Sequence, residues 1–337
     1  MFAERSLDAS FLKADEFLDS NAPGQNVLGV IRYCADPDKP AGRGPGVELR
    51  MPMTTASTEE FAEVWTTNHP VQTGEYKDIH YAHDGEYLLC TCRIPESPRY
   101  AESVERAYSS ALEVLHRLEY QKLFRTWNFI GGINQENADG LEIYRDFCVG
   151  RSIAFQRYGL PAGKLCAATV VGALGRGIAF YSLSLRSGAC IHLDNPRQVP
   201  PYRYPPRYGA RSPSFARATY VLPAGPAEAA GRIYVSGTSS IVGHETVHRG
   251  DVENQCQTAL ENISCLIEAD NTMKYGLVRG YGLADLDRIK VYVRRAEHIE
   301  SARNICSKVF APRAEVAYLN VDMCRADLLV EIEGVTR

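Results

Sequence analysis

Two groups of reactive side chains stand out in the 337-residue sequence. His244-Glu245-Thr246-Val247-His248 matches HExxH, in which two histidines one helical turn apart bind zinc and the glutamate serves as general base. That chemistry requires a helix. Here the five residues lie between Gly243 and Gly250, include β-branched Thr246 and Val247, and precede a helix start at Asp251. No third ligand follows at short spacing, so the segment is expected to be a loop or strand with no metal bound. The second group is Arg313, in Pro312-Arg313-Ala314, and Glu331, in Val330-Glu331-Ile332-Glu333. A guanidinium fork suits a carboxylate ligand, and a carboxyl group whose pKa is raised by burial can donate a proton. On strand alternation alone, Glu331 is one more outward residue, like Glu333.

The elements that must position these groups occur twice. Val104, Tyr108, Ala111, Leu112 and Leu115 recur at helical spacing, and KLFRTWNFIGGIN follows as a strand. A helix over 141–157 and the strands LCAATVVGAL and RGIAFYSLSL complete the first set. The order returns as RIYVSGTSSIV, a helix from Asp251 through Ile267, RIKVYVRR, a helix near Ile299–Cys306, then AEVAYLNVDM and ADLLVEIEGV. An α+β chain of two diverged copies of one module is expected, with an N-terminal extension (1–25), a degenerate first module (26–190), a Pro/Tyr/Arg-rich linker (191–211) and a second module (212–337). Only the second copy keeps the Arg and Glu, so one site is expected to survive while the other became scaffold. The linker, with Tyr202, Arg203, Tyr204, Tyr208 and Arg211, reads equally as a stiff spacer or as a source of groups reaching a neighbouring pocket. Tyr144, Cys148 and Arg151 fall on one helical face with Arg145 adjacent, where an arginine needs an anion from the protein or from a substrate.

The second module resembles the reactive-intermediate deaminase (Rid/YjgF) family through SFARATYV, RIYVSGTSSIVG, GDVENQCQTALENISCLIEA, APRAEV and LLVEIEGV, in that family's order. This implies a chorismate-mutase-like fold that assembles as trimers with sites between modules, and a site pairing Arg313 with Glu331. The tandem modules, with RTWNFIGGIN, YRDFCVGR and YRYPPRYGARSPSFARA, are similar to the chorismatases, which release the enolpyruvyl side chain of chorismate as pyruvate. The resemblance covers most of the chain and is weakest before residue 80. It implies that Glu331 protonates the enolpyruvyl methylene and that Arg313 clamps a carboxylate. Arg145, Arg151 and Tyr208 are further substrate contacts by that similarity, with Tyr144, Arg217 and Thr238 beside them.

The same resemblance implies three product classes: hydrolysis to a dihydroxycyclohexadiene acid, 3-hydroxybenzoate, and mixed 3- and 4-hydroxybenzoate. A glycine in the VSG block and a cysteine seven residues before the acid mark the second class, and Gly237 and Cys324 fit. The glycine is expected to widen the pocket and the thiol to act near the ring's leaving oxygen. A close-packing glycine and a turn cysteine are the alternatives, and the mixed class stays open. An imine deaminase of Rid type and a non-enzymatic module binding an anionic metabolite are the rival functions.

Bulk properties set the outer limits. A net charge of -4 with mixed signs gives no basic field for nucleic acid. The start lacks a signal-peptide pattern, and no apolar run is long enough to span a bilayer. The ten cysteines contain no CxxC pair and sit singly in apolar segments, as in a reducing cytoplasm. No cofactor is expected. A monomer and a homo-oligomer, a trimer included, are both compatible with the sequence.

Overall fold

Helix α1 (Ala101–Arg117) forms where the apolar spacing demands it, and Val104, Tyr108, Ala111, Leu112 and Leu115 are all buried. The computed structural model describes residues 7–13, 26–34, 46–55, 60–161, 164–224 and 231–337. Strand β9 (Lys122–Gly131) follows α1, then helix α2 (Ile143–Arg157), β10 (Ala167–Ala173) and β11 (Ile178–Leu185). In the second half β14 (Arg232–Ser239) leads to α3 (Val252–Ile267), β17 (Leu286–Val293), α4 (Ile299–Cys306), β18 (Glu315–Asn320) and β19 (Val330–Thr336). Asp251 caps α3, its carboxylate accepting from the Asn254 amide at 3.1 Å. The expected element order is thus present in both copies, and the fold is α+β with one order of elements repeated in tandem.

Three sheets enclose one apolar core. The first is built from β1 (Leu7–Lys13), β2 (Asn26–Cys34), β3 (Val47–Pro52) and β5 (Phe61–Thr67) in the order β1-β5-β2-β3. The second adds β6 (Gln72–Tyr76), β7 (Ile79–His83) and β8 (Tyr87–Ile94) in the order β10-β9-β11-β8-β7-β6. The third, β12-β13-β14-β19-β17-β18-β4, brings in β12 (Gly188–Leu193), β13 (Ala218–Pro223) and the short β4 (Thr54–Thr55). Trp65 from the first sheet, Trp127 and Tyr181 from the second and Tyr292 from the third meet in the shared core. The helices cover the outer faces of the second and third sheets, each with its own apolar cluster.

These sheets redraw the expected segments. Strands β2, β3 and β5 belong to a separate N-terminal sheet, and β12, which straddles the expected boundary between the first module and the linker, opens the third sheet. Within the expected extension, 7–13 pairs with β5 as an integral strand, while 1–6 and 14–25 lie outside the described residues.

Charge is buried at the centre, where the three sheets meet. Lys290 Nζ contacts Glu63 Oε2 at 2.8 Å and Glu333 Oε1 at 3.0 Å, and Arg125 Nη2 lies 2.6 Å from Glu333 Oε2. The hydroxyls of Tyr33 and Tyr181 donate to Glu63 at 2.9 and 2.8 Å, and the Trp127 indole donates to Glu333 at 2.8 Å. Two cations meet two carboxylates, and the remaining lone pairs take neutral donors, the condition under which buried ions are tolerated. Glu333 is therefore not the outward residue that strand alternation suggests. Every residue of β19 is buried, because helix-covered core lies on one face and the central core on the other.

Candidate active site

The local backbone aims Glu331. On β14 three residues advance from Val235 to Thr238 while β19 advances two, from Gly334 to Ile332, so Ser236-Gly237 form a bulge opposite Glu333, one pair short of Glu331. Ser239 pairs directly with Glu331, and its hydroxyl donates to Oε2 at 3.0 Å. A Cβ on Gly237 would overlap Glu331 Oε1 and stand 2.8 Å from its Cδ. Glycine here leaves room for the carboxyl group, and Gly237 also lines the cavity described below. Strand β10 of the first module grips this bulge, since the Gly237 amide donates to Thr169 Oγ1 at 3.0 Å and the Ala168 amide to Ser236 Oγ at 2.9 Å.

Glu331 is 4% exposed and has no ion-pair partner among the described residues. Burial raises its pKa to about 7, the Ser239 hydrogen bond pulling the other way and the Glu333 charge adding to the rise. Two strand positions away the outcome reverses. Burial would raise Glu333 too, but Lys290 and Arg125 outweigh it and hold that carboxyl below its ordinary range. The central cations are committed to Glu63 and Glu333, so Glu331 is the carboxyl group left to carry a proton.

Glu331 lines a cavity of about 450 Å³ between the modules, a volume suited to a small metabolite. Tyr144 and Arg145 reach it from the start of α2, and Ala168 and Val170 from β10. The linker supplies Tyr204, Arg207 and Tyr208, with Phe215 following from the start of the second module, so the linker is part of the cavity wall as well as a connection. Arg217, Cys324 and Arg325 complete the wall near the acid, with Arg249 and Glu245 also in the lining. Five arginines thus face Glu142 and Glu245, leaving a cationic surplus fitted to an anion. Arg217 is 3% exposed, and it donates through Nη2 to Tyr204 Oη at 2.7 Å and to the Val199 carbonyl at 3.0 Å. Its Nε has no partner. Cys324 also lines the cavity, and burial, with the Glu331 charge adding, pushes its thiol up to about 12. It is a neutral thiol at physiological pH, not a thiolate.

The family model described as chorismatase FkbO/Hyg5-like, N-terminal, matches residues 63–184. A 3-hydroxybenzoate synthase of Streptomyces hygroscopicus is 50% identical, over 93% of this chain and 92% of that protein. A chorismatase of Streptomyces rapamycinicus is 46% identical over 84% of each. The chain belongs to the chorismatase family. The fold agrees throughout, for a chorismatase crystal structure superposes with a TM-score of 0.92 at 41% identity, covering 98% of both chains.

Against this chorismatase frame, the cavity gathers Glu331, Cys324, Gly237, Tyr208, Arg145, Tyr144 and Arg217 from the residues singled out in the sequence. Arg313 is not among them. Glu315 on β18 pairs with Arg288 while Glu331 pairs with Tyr292, so Arg313 lies beyond the far end of β17, about 20 Å from Glu331 at ~3.3 Å per residue. It is exposed and bonds the Ala284 carbonyl at 3.3 Å. Arg217, Arg249 and Arg325 are the second-module cations that reach the cavity in its place.

Two further expectations change. Arg151 is buried outside the lining, its Nη1 donating to the Ser214 carbonyl at 2.8 Å and its Nη2 to Thr126 Oγ1 at 3.1 Å. It fastens the chain just before Phe215 and meets no anion. Thr238 turns away on the strand, donating to the Ser236 carbonyl at 2.8 Å. The HExxH letters fall on β16 (Glu245–Thr246) and its flanks, where β16 pairs with β15 (Ile241–Val242) in a strand setting as expected, and Glu245 pairs with Arg207. Arg325, Arg207, Arg249 and Ser239 are not singled out by sequence, and Tyr204 appears there only among the linker groups able to reach a neighbouring pocket. Adjacency to Cys324 was the available signal for Arg325, and the VSGTSS block the signal for Ser239.

Proposed function

We propose that this chain converts chorismate to 3-hydroxybenzoate and pyruvate, with Glu331 as the acid. The observation that carries the reading is a buried carboxyl group, protonated near neutrality and lacking a cation of its own, beside arginines in a cavity of metabolite size. Chorismate brings two carboxylates for those arginines and an enol ether whose methylene accepts the proton. Protonation makes the ether oxygen a leaving group that departs as the keto oxygen of pyruvate. The two products together contain the atoms of chorismate, so no water is consumed. Cys324, a neutral thiol on the cavity wall, assists the ring's rearrangement to the phenol. Gly237 and Cys324 are the two features that favour 3-hydroxybenzoate over hydrolysis.

The test incubates chelator-treated protein with chorismate, following pyruvate continuously and resolving the aromatic acids by chromatography. Pyruvate with 3-hydroxybenzoate supports the reading, and an admixture of 4-hydroxybenzoate moves the protein to the mixed class. A diene product assigns hydrolysis. Absence of pyruvate overturns the proposal.

We also infer that the protein acts as a monomer. In the Rid arrangement three modules close around a centre, and here β1, β2, β3 and β5 form the third wall within one chain. Light scattering giving a dimer or trimer mass at micromolar concentration would overturn this inference.

A further inference from the structure

Cys324 and Arg325 sit on a connection between β18 and β19 with no regular secondary structure, yet their backbone is held from outside the cavity by one side chain. Arg294, just past the end of β17, has 13% of its side chain exposed and is absent from the cavity wall. Its Nε donates to the Leu328 carbonyl at 2.7 Å. Nη2 donates to the carbonyls on both sides of Cys324, Met323 at 3.2 Å and Arg325 at 2.8 Å. Nη1 contacts Asp322 and donates to Asn134 Oδ1 at 3.2 Å. All five guanidinium hydrogens thus have an acceptor, four of them within 322–328. Asn134, from the loop after β9 in the first module, adds a bond of its own to the Met323 carbonyl at 3.1 Å.

We propose that Arg294, with Asn134, is a positioning residue that governs which product forms, by fixing the Cys324 thiol against the substrate ring without touching the substrate. The inference rests on the proposed chorismate chemistry. Protonation by Glu331 is independent of this clamp, because Glu331 is aimed by the β14–β19 bulge and Ser239. Ring rearrangement depends on the clamp, because Cys324 has a pinned peptide group on each side. Lysine cannot reproduce the device, since a single ammonium offers three donors from one point where the fork serves acceptors spread along the connection.

The experiment compares Arg294→Lys and Asn134→Ala with the parent protein, measuring pyruvate and every ring product from one reaction. A small displacement of a reacting group is costly in rate, so the ratio of 3-hydroxybenzoate to other ring products is expected to fall by about tenfold in Arg294→Lys and less in Asn134→Ala. Pyruvate release should fall by a smaller factor than that ratio. Labelling with a maleimide, read on the Cys324 peptide by mass spectrometry, is expected to speed up in both variants. If Arg294→Lys does not fold, Asn134→Ala decides. An unchanged product ratio and labelling rate in a folded variant overturn the positioning role while leaving the chorismate reading intact. A parent protein that releases no pyruvate overturns the chorismate reading and, with it, the control of products.

Discussion

Gly237 and Glu331 occupy space that only one side chain can fill, since a Cβ at 237 would coincide with a carboxylate oxygen of Glu331. The bulge in β14 brings them together, and β10 of the other module holds that bulge by its amide bonds. Gly237→Ala should therefore fold while turning the carboxyl group off its line, because the group that must yield is the end of a side chain. We expect pyruvate release to slow by about tenfold or more and the product ratio to change. Wild-type rate and products from Gly237→Ala would show that the close approach has no role in aiming the acid.

Which parts of this arrangement were legible in the sequence follows from which interactions are local. Helix periodicity placed α1, α2, α3 and α4, and the block around Glu331 pointed to that carboxyl group as the candidate acid, because both depend on neighbouring residues. Arg313 misled for the opposite reason. It is close to Glu331 in sequence, but the parallel register of β18 and the antiparallel register of β19 carry the two to opposite ends of β17. The N-terminal sheet was missed because β1 pairs with β5 although β2, β3 and β4 lie between them in the chain, a pairing that no local pattern announces. Glu333 looked exposed because alternation assumes a half-solvated sheet, whereas β19 has a covered face on each side.

The raised pKa of Glu331 ties activity and stability to pH. As the acid must carry its proton, kcat/KM is expected to decline as pH rises through about 7. Glu331→Gln should lower pyruvate release by about a thousandfold, within the range general acid catalysis supplies. The stability effect has the same direction. The folded protein holds the Glu331 proton more tightly than the unfolded chain does, so this contribution is fully present below the ordinary glutamate value of 4.5 and is lost as pH rises through about 7. That window corresponds to about 3 kcal/mol at ~1.4 kcal/mol per unit. Glu333, held low, contributes in the other direction, with stability present above its unfolded pKa and lost on acidification. Urea unfolding of wild type and Glu331→Gln from pH 4 to 8 isolates the first effect, and parallel curves would refute it.

The thiol of Cys324 is neutral at working pH, because burial pushes it up to about 12, so its contribution depends on an S–H and not on nucleophilic attack. Cys324→Ala is expected to alter the ring product more than the rate of chorismate consumption. Cys324→Ser, which keeps a donor of similar size, should lie between Ala and the parent protein in 3-hydroxybenzoate fraction. Chromatography of the ring acids at full conversion gives that ordering directly. A proportional loss of all products in Cys324→Ala would assign the residue to chorismate binding instead.

Arg217 and Arg313 separate the cavity geometry from the motif resemblance. Arg217 is buried beside Glu331 with Nε unpartnered, so a substrate carboxylate can take up a donor that the protein leaves unused. Truncating it removes a charge-assisted bond and strands Tyr204, whose hydroxyl accepts from Nη2 at 2.7 Å. Arg217→Met is expected to lower kcat/KM by about a hundredfold, since a buried hydrogen-bonded charge pair is worth 2 kcal/mol or more. Arg313 is exposed at the other end of the sheet with one long bond to a carbonyl, so Arg313→Met should stay within about twofold of wild type in both kcat/KM and stability. A reversal, with Arg313→Met inactive and Arg217→Met active, would mean that the substrate binds outside the cavity around Glu331 and that the acid acts from a different site.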